Sequence, residues 1–137
     1  MELILDTTIL IDAERQKVTL DKVVDNQDTV SISAVTYAEL LHGVEMANDR
    51  TRASRQAFVE AVAQRVPVLA YDQRVARTHA GLLAATQRSG RPRGAHDLII
   101  AATAATLGLT VVTSDPDGFT QLPGVDVRGR EPDSFGA

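Results

Sequence analysis

Residues 95–115 read AHDLIIAATAATLGLTVVTSD, and they contain, in order, an apolar helix, a stop signal, a strand and an acidic residue. Residues 96–107 are apolar nearly all round, which predicts a helix that is buried on more than one side. Gly108 is predicted to end this helix, because glycine readily adopts the left-handed conformation found at helix C-termini. The segment TVVT (110–113) is a strong apolar run and predicts a strand. A buried helix followed at once by a strand indicates an α/β fold.

Short β-like runs alternate with longer helical ones over the rest of the chain. Strands are predicted at 2–5, 29–32, 66–69 and 110–113, with a fifth, at an edge, over 125–127. Further helices are predicted at 8–15, 19–26, 33–47, 51–64 and 72–87. Pro67 favours an edge position or a strand start for the third strand. Because such alternation implies parallel pairing with right-handed crossovers, we predict a single α/β domain with a mainly parallel sheet of four or five strands flanked by helices.

Composition is that of an ordinary globular protein. The chain has 137 residues, of which 44% are apolar and 23% charged, and this is enough for one domain with a substantial core. No apolar run reaches the length of a membrane span, and the N-terminus lacks the basic start and cleavage site of a signal peptide. We therefore expect a cytoplasmic protein that makes no membrane contact. Cysteine is absent, which excludes disulfides, thiolate catalysis and Cys-based zinc sites.

The basic residues are nearly all arginine. There are 14 basic residues in total, and only Lys17 and Lys22 are lysines. The net charge of −4 argues against a protein that simply coats nucleic acid, but arginine can hold phosphate through its planar fork. We consider Arg15 and a stretch of the chain with five arginines as phosphate contacts. The alternative is that these arginines lie on a solvated helix face. The stretch contains Arg74, Arg77, Arg88, Arg91 and Arg93.

Four acidic residues lie where this fold would bring them together. Asp6 follows the first strand and Asp115 lies two residues after the fourth, while Glu39 and Asp97 are on helices that enter or leave the same edge. Ligands of parallel α/β sheets bind beyond the carboxyl ends of the strands. Clustered carboxylates repel one another unless a cation lies between them. The four acids therefore predict a site for a hard divalent cation, Mg²⁺ or Mn²⁺.

Each acid also has a simpler explanation. Asp6 and Asp115 could cap the helices that follow them, and Asp97 could serve the dipole of its own helix. Glu39 lies too deep in its helix to serve a helix end, but it could reach water or an arginine. Asp117 is a fifth candidate, which either completes the site or serves the turn DPDG.

Hydroxyl groups adjoin the acids at the strand ends. These hydroxyl groups belong to Thr7, Thr8, Thr113 and Ser114. They could orient carboxylates or metal-bound waters, or they could be ordinary strand-end residues. His96 precedes Asp97, but adjacent helical residues are about 100° apart, so we expect His96 to point elsewhere. His42 and His79 stand alone in the sequence, and this pattern does not favour zinc chemistry.

The ordered set of these motifs resembles the PIN domain family, in particular the VapC-type ribonuclease toxins of bacterial and archaeal toxin–antitoxin pairs. LILDTTILID resembles the family's opening with Asp6, and ISAVTYAELLHGVE resembles the second block with Glu39. AHDLIIAATAATLGLTVVTSD resembles the blocks that contain Asp97 and Asp115, and DPDGFTQLPGV resembles the closing segment. Many relatives have Asn at the position of Asp115, and His96 is not a feature of the family. The resemblance covers nearly the whole chain.

What the resemblance implies is a PIN-like nuclease domain over 1–130 and a C-terminal tail over 131–137. It implies a metal-dependent endoribonuclease in which Asp6, Asp97 and Asp115 hold Mg²⁺, with Mn²⁺ as a substitute. Glu39 would orient the attacking water or help to bind a second ion, and Asp117 could share in metal binding.

The implied substrate is structured RNA, tRNA or ribosomal RNA, cut to leave a 3′-hydroxyl and a 5′-phosphate. A cognate antitoxin covering the active site and a homodimer are also implied. A site made only of carboxylates has no protein nucleophile, which independently points to attack by metal-activated water.

Two other functions compete with this interpretation. A haloacid-dehalogenase-type phosphatase would need a second Asp two residues after Asp6, where this chain has Thr8, and a lysine late in the chain. A receiver domain, which belongs to the same alternative, would need the same lysine, and this chain lacks it. A catalytically inactive PIN-like binding module is the second alternative, although such modules usually lose one or more of the four acids.

Overall fold

A parallel sheet of five strands runs through the part of the protein that the computed structural model describes, residues 1–18 and 28–130. The strands are β1 Glu2–Leu5, β2 Thr29–Ser33, β3 Val68–Leu69, β4 Thr110–Thr113 and β5 Asp126–Gly129. Their order is β3-β2-β1-β4-β5, with every neighbouring pair parallel. The predicted α/β fold is confirmed, and the fifth strand lies at an edge as expected.

Five α-helices flank the sheet in the described ranges. They are α1 Thr7–Arg15, α2 Ala34–Glu45, α3 Arg52–Arg65, α4 Gln73–Ser89 and α5 Ala95–Leu107. A short 3₁₀ turn, Pro116–Gly118, follows β4. These bounds agree with the predicted ones to within two residues at each end. The helix predicted at 19–26 and the tail at 131–137 lie outside the described residues. Each helix within the described residues is too short or too polar to serve as a membrane span.

The third strand is shorter than predicted. It covers Val68–Leu69 rather than 66–69, because Val66 serves as the C-cap of α3 and donates its N–H to the Val62 carbonyl oxygen. Pro67 has no N–H to donate, but its carbonyl oxygen accepts the N–H of Ile32 at 3.0 Å. The edge position that Pro67 indicates is confirmed.

Alternate residues of the central strand β1 face two separate hydrophobic cores. Leu3 and Leu5 pack into a core that includes residues of α1, α2 and α3, whereas Ile4 packs into a core that includes residues of α4 and α5. Helix α5 contributes a nearly continuous buried surface to the second core, as predicted. Its buried residues are Leu98, Ile100, Ala101, Ala102, Thr103 and Ala104.

Gly108 ends α5 with a φ of 68°, in the left-handed region that the sequence predicts. We expect Gly108→Ala to lower the free energy of unfolding by about 1 kcal/mol, because Ala has a Cβ that is strained at positive φ. Urea denaturation measures this loss. Gly43→Ala in α2 is the matched control, since both positions have open space for a Cβ but Gly43 is helical. The control should gain stability, and an equal effect of both substitutions would contradict the strain argument.

Candidate active site

Asp6 lies directly after the central strand, at the carboxyl edge of the sheet. Its N–H donates to the Val112 carbonyl oxygen at 2.9 Å, which extends the pairing of β1 with β4. It is also the N-cap of α1, because its Oδ1 accepts the N–H of Thr7 at 2.8 Å. The side chain is only 3% exposed. The capping role is therefore real, and it places a buried carboxylate where ligands of such sheets bind.

Two threonine hydroxyls hold the other oxygen of Asp6. Thr8 Oγ1 donates to Asp6 Oδ2 at 2.9 Å, and Thr113 Oγ1 donates to the same atom at 2.7 Å. Thr113 in turn accepts the N–H of Asp115 at 3.0 Å. These contacts fix the direction of the carboxylate, as the sequence pattern suggests. Thr8 also stands at the position where the phosphatase alternative needs an acid, and it acts here as a hydrogen-bond donor.

Glu39 faces the same region from helix α2. Its Oε1 accepts the hydroxyl of Thr7 at 3.0 Å and lies 3.4 Å from Nδ1 of His96. The expectation that His96 points elsewhere is wrong, because α5 packs against α2 and turns the imidazole toward Glu39. Glu39 is thus held between two other helices, α1 and α5, through Thr7 and His96.

Asp97 lies in the first turn of α5 and couples the acids electrostatically. Burial raises its pKa from 3.8 to about 6, helped by the negative charges of Asp6, Glu39 and Asp115, while His96 acts in the opposite direction. Charges affect a pKa this way only when they are near one another. The three other acids that the sequence singles out therefore lie near enough to Asp97 for their charges to act on it.

Two glycines leave room beside the Asp97 carboxylate. A Cβ built on Gly94 would lie 3.1 Å from Asp97 Oδ2, and one built on Gly118 would lie 3.2 Å from the same oxygen. The second would also lie 3.9 Å from Asp115 Oδ2. The sequence analysis did not identify either glycine as part of the site. The available signal was a glycine three residues before Asp97 and another three residues after Asp115.

Asp115 and Asp117 differ in their surroundings. Asp115 begins the 3₁₀ turn without capping it through its side chain, and its charge helps to raise the pKa of Asp97. Asp117 is exposed, as Asp115 is, but its backbone carbonyl accepts a hydrogen bond from Arg93 and it is not among the charges acting on Asp97. Of the pair, Asp115 is the one whose charge acts on Asp97.

Three side chains considered for the site form hydrogen bonds with other parts of the protein. The Ser114 hydroxyl donates to Asp12 Oδ2 at 2.7 Å and not to an acid of the cluster. Arg91 donates to Gln121 Oε1 at 2.5 Å, and Arg93 donates to two backbone carbonyl oxygens. Charge patterning did not reveal these contacts, because it does not show which loops a side chain can reach. That arginines of this stretch hold phosphate remains a prediction.

The donor atoms of the cluster suit a hard divalent cation. Carboxylate oxygens are the protein ligands that Mg²⁺ and Mn²⁺ prefer, and the chain has no thiol that would favour a softer metal. Within residues 1–18 and 28–130, no three carboxylate or imidazole groups converge closely enough to hold an ion directly. A magnesium ion here would thus contact one or two carboxylates and reach the others through water, which is its usual mode in proteins.

Comparison with known proteins agrees with the fold and the ordered motifs. The family model for the PIN domain matches residues 3–125. Ribonuclease VapC of Rickettsia bellii is 30% identical over 128 residues, covering 93% of this chain and 95% of the relative. The tRNA(fMet)-specific endonuclease VapC of Shigella flexneri is 38% identical over 101 residues, covering 73% of this chain and 74% of the relative.

A solved structure gives the same result. VapBC-5 of Mycobacterium tuberculosis, a member of the VapBC family of toxin–antitoxin systems, superimposes with a TM-score of 0.74 at 34% identity. The alignment covers 93% of this chain and 96% of that one. The chain therefore belongs to the PIN domain family and, within it, to the VapC ribonuclease toxins.

Proposed function

We propose that this protein is a divalent-metal-dependent endoribonuclease that cleaves structured RNA as the toxin of a toxin–antitoxin pair. The observation that carries the proposal is geometric: Asp6 and Glu39 both accept hydrogen bonds from Thr7, and the carboxylates of Asp97 and Asp115 both approach Gly118. The raised pKa of Asp97 agrees with this arrangement. Acids that repel one another without a cation form a favourable site for one. The names of the relatives, a ribonuclease and a tRNA-specific endonuclease, support RNA as the substrate.

In this proposal Asp6, Asp97 and Asp115 hold Mg²⁺, with Mn²⁺ as a substitute. The bound ion would supply an activated water and offset the charge of the phosphodiester. The threonine hydroxyls on Asp6 keep its carboxylate aimed at the cluster. Glu39 is oriented through Oε1, which leaves Oε2 as the atom to orient the attacking water or to accept its proton.

Recognition of the RNA would depend on its shape and backbone. Aromatic residues make up 4% of the chain, which is too few for extensive base stacking. A cleft of about 220 Å³ adjoins Glu39 and is lined by Arg15, Arg55 and apolar side chains that include Leu40 and Phe58. Exposed loops of tRNA or ribosomal RNA fit such a surface better than regular duplexes, because their backbone is not regular and their bases are accessible.

Two protein partners belong to the proposal. An unrestrained ribonuclease would damage the RNA of its own cell, so we propose an antitoxin that covers the active site. The similarity to VapBC-5, a toxin–antitoxin system, supports this partner. We also propose a homodimer, for which exposed apolar side chains such as Leu83 on α4 and Leu107 on α5 are candidate contacts.

Cleavage of total RNA by the purified protein is expected to stop in EDTA and to return with Mg²⁺ or Mn²⁺. Asp6→Asn should slow this cleavage by about tenfold or more, since it disturbs a carboxylate that holds the ion. The matched control is Asp12→Asn, because Asp12 lies on α1 but contacts Ser114 and Arg130 and not the cluster. Equal rates for wild type and Asp6→Asn, or no cleavage with any of several metals, would instead favour the non-catalytic binding module.

A further inference from the structure

Arg93 ties the start of helix α5 to the turn that follows Asp115. Its Nη1 donates to the Asp117 carbonyl oxygen at 2.6 Å, and its Nη2 donates to the Thr120 carbonyl oxygen at 2.6 Å. Two parallel donors in one plane are a property of guanidinium that the ammonium group of lysine does not share. The side chain is partly buried, so this contact is part of the packed structure and is not a solvated surface charge.

The two segments that Arg93 joins are the ones that enclose the Asp97 carboxylate. Gly94 is adjacent to Arg93, and Gly118 lies between the two carbonyl groups that Arg93 binds. Both glycines approach Asp97 Oδ2, as their Cβ distances of 3.1 and 3.2 Å indicate. Any shift of the turn would therefore change the separation between Asp97 and the acid that begins the turn, Asp115.

We propose that Arg93 is a positioning residue that clamps the turn at 116–120 against the start of α5 and so keeps Asp115 and Asp97 at a separation suited to one divalent ion. This inference rests on the proposed metal-dependent function. The two carboxylates carry like charges and repel each other, which tends to separate their segments before an ion binds. The clamp opposes that separation, and a site that is already arranged binds its ligand with less reorganisation.

A clamping role for Arg93 can be distinguished from a role in holding RNA. A phosphate-binding arginine would leave metal affinity unchanged in the absence of RNA. A positioning residue would lower metal affinity even when no RNA is present, because it acts through the two carboxylates. Measurement of Mn²⁺ binding without substrate therefore separates the two roles.

The experiment is calorimetric titration of Mn²⁺ into the purified full-length protein, with folding checked by thermal denaturation. R93A is expected to bind Mn²⁺ about 10–100-fold more weakly than wild type, as is typical when a group that orients metal ligands is removed. R93K should show a similar loss, because one ammonium group does not bridge both carbonyl oxygens. R77A, at an exposed position of α4, is the matched control and should bind Mn²⁺ with wild-type affinity.

Wild-type Mn²⁺ affinity in a folded R93A or R93K variant would overturn the clamp, even if RNA cleavage fell. Should R93A fail to fold, R93K decides the question, since it keeps the charge and most of the stem. D97N tests the metal site separately. If wild type binds Mn²⁺ and D97N does not, the metal site is present. Normal Mn²⁺ binding by the Arg93 variants would then contradict the clamp and leave the metal-dependent function standing. If wild type binds no Mn²⁺, the metal-dependent function and the clamp both fail.

Discussion

Replacing Asp97 by Asn is expected to stabilise the metal-free protein at pH 8 while slowing RNA cleavage by about a hundredfold or more, equivalent to roughly 3 kcal/mol of transition-state stabilisation. The two effects have one cause. Burial and three neighbouring acids make the ionised Asp97 unfavourable in the folded state, and they raise its pKa from 3.8 to about 6. Asn has nearly the same shape and no charge, so it removes the repulsion together with a ligand of the proposed ion.

The expected gain in stability is about 1–2 kcal/mol at pH 8, which allows for solvent screening of a group that is only partly buried. Between pH 3.8 and about 6 the folded protein binds more protons at Asp97 than the unfolded chain does. The unfolding free energy of wild type should therefore fall as the pH rises through this range, and it should stay lower above it. Asp97→Asn should lack this component of the pH dependence.

Urea denaturation in EDTA at several pH values measures the effect. Asp117→Asn is the matched control, because Asp117 is exposed and does not act on Asp97. Addition of Mg²⁺ should stabilise wild type but not Asp97→Asn, since only a folded site binds the ion. A variant no more stable than wild type at pH 8 would show that the repulsion is absent.

Phe119→Ala is expected to lower the free energy of unfolding by about 3–5 kcal/mol. Phe119 is 1% exposed and belongs to the core that α4 and α5 share with the sheet. It also ends the 3₁₀ turn, where its N–H donates to the Pro116 carbonyl oxygen at 2.9 Å. Truncation would therefore leave a cavity in the core and loosen the turn that Asp115 begins.

Chemical denaturation of the purified variant, compared with Phe119→Leu, tests this prediction. Leucine keeps most of the apolar volume and should cost much less than alanine. If the two substitutions cost the same, the loss comes from the aromatic ring itself and not from the cavity. A loss below about 1 kcal/mol for Phe119→Ala would contradict the assigned burial.

The sequence predicts those features of this fold that depend on local signals. The apolar helix α5, its stop at Gly108 and the strand β4 are all confirmed, because periodicity and glycine chemistry act within a few residues. Strand β3 is the main exception. Its first predicted residue, Val66, is the C-cap of α3 instead, and a short apolar run does not show where a helix ends and a strand begins.

The position of Asp6 and Asp115 at one edge of the sheet could also be predicted, since parallel strands deliver the residues at their carboxyl ends to one edge. The groups around them could not. The contact of His96 with Glu39 depends on how α2 and α5 are rotated against each other. The contact of Arg93 with the turn depends on the course of two loops. Such relations are tertiary, and no spacing within one segment encodes them.

The bond from Thr113 to Asp6 joins residues 107 positions apart, and this separation matters while the protein is being made. A nascent chain that has exposed Asp6 but not yet β4 lacks the hydroxyl that aims this carboxylate, and it also lacks Asp115. Domains fold as units during synthesis, so the acidic pocket takes shape only after nearly all of the domain has left the ribosome. Translation itself thereby delays whatever chemistry the pocket performs.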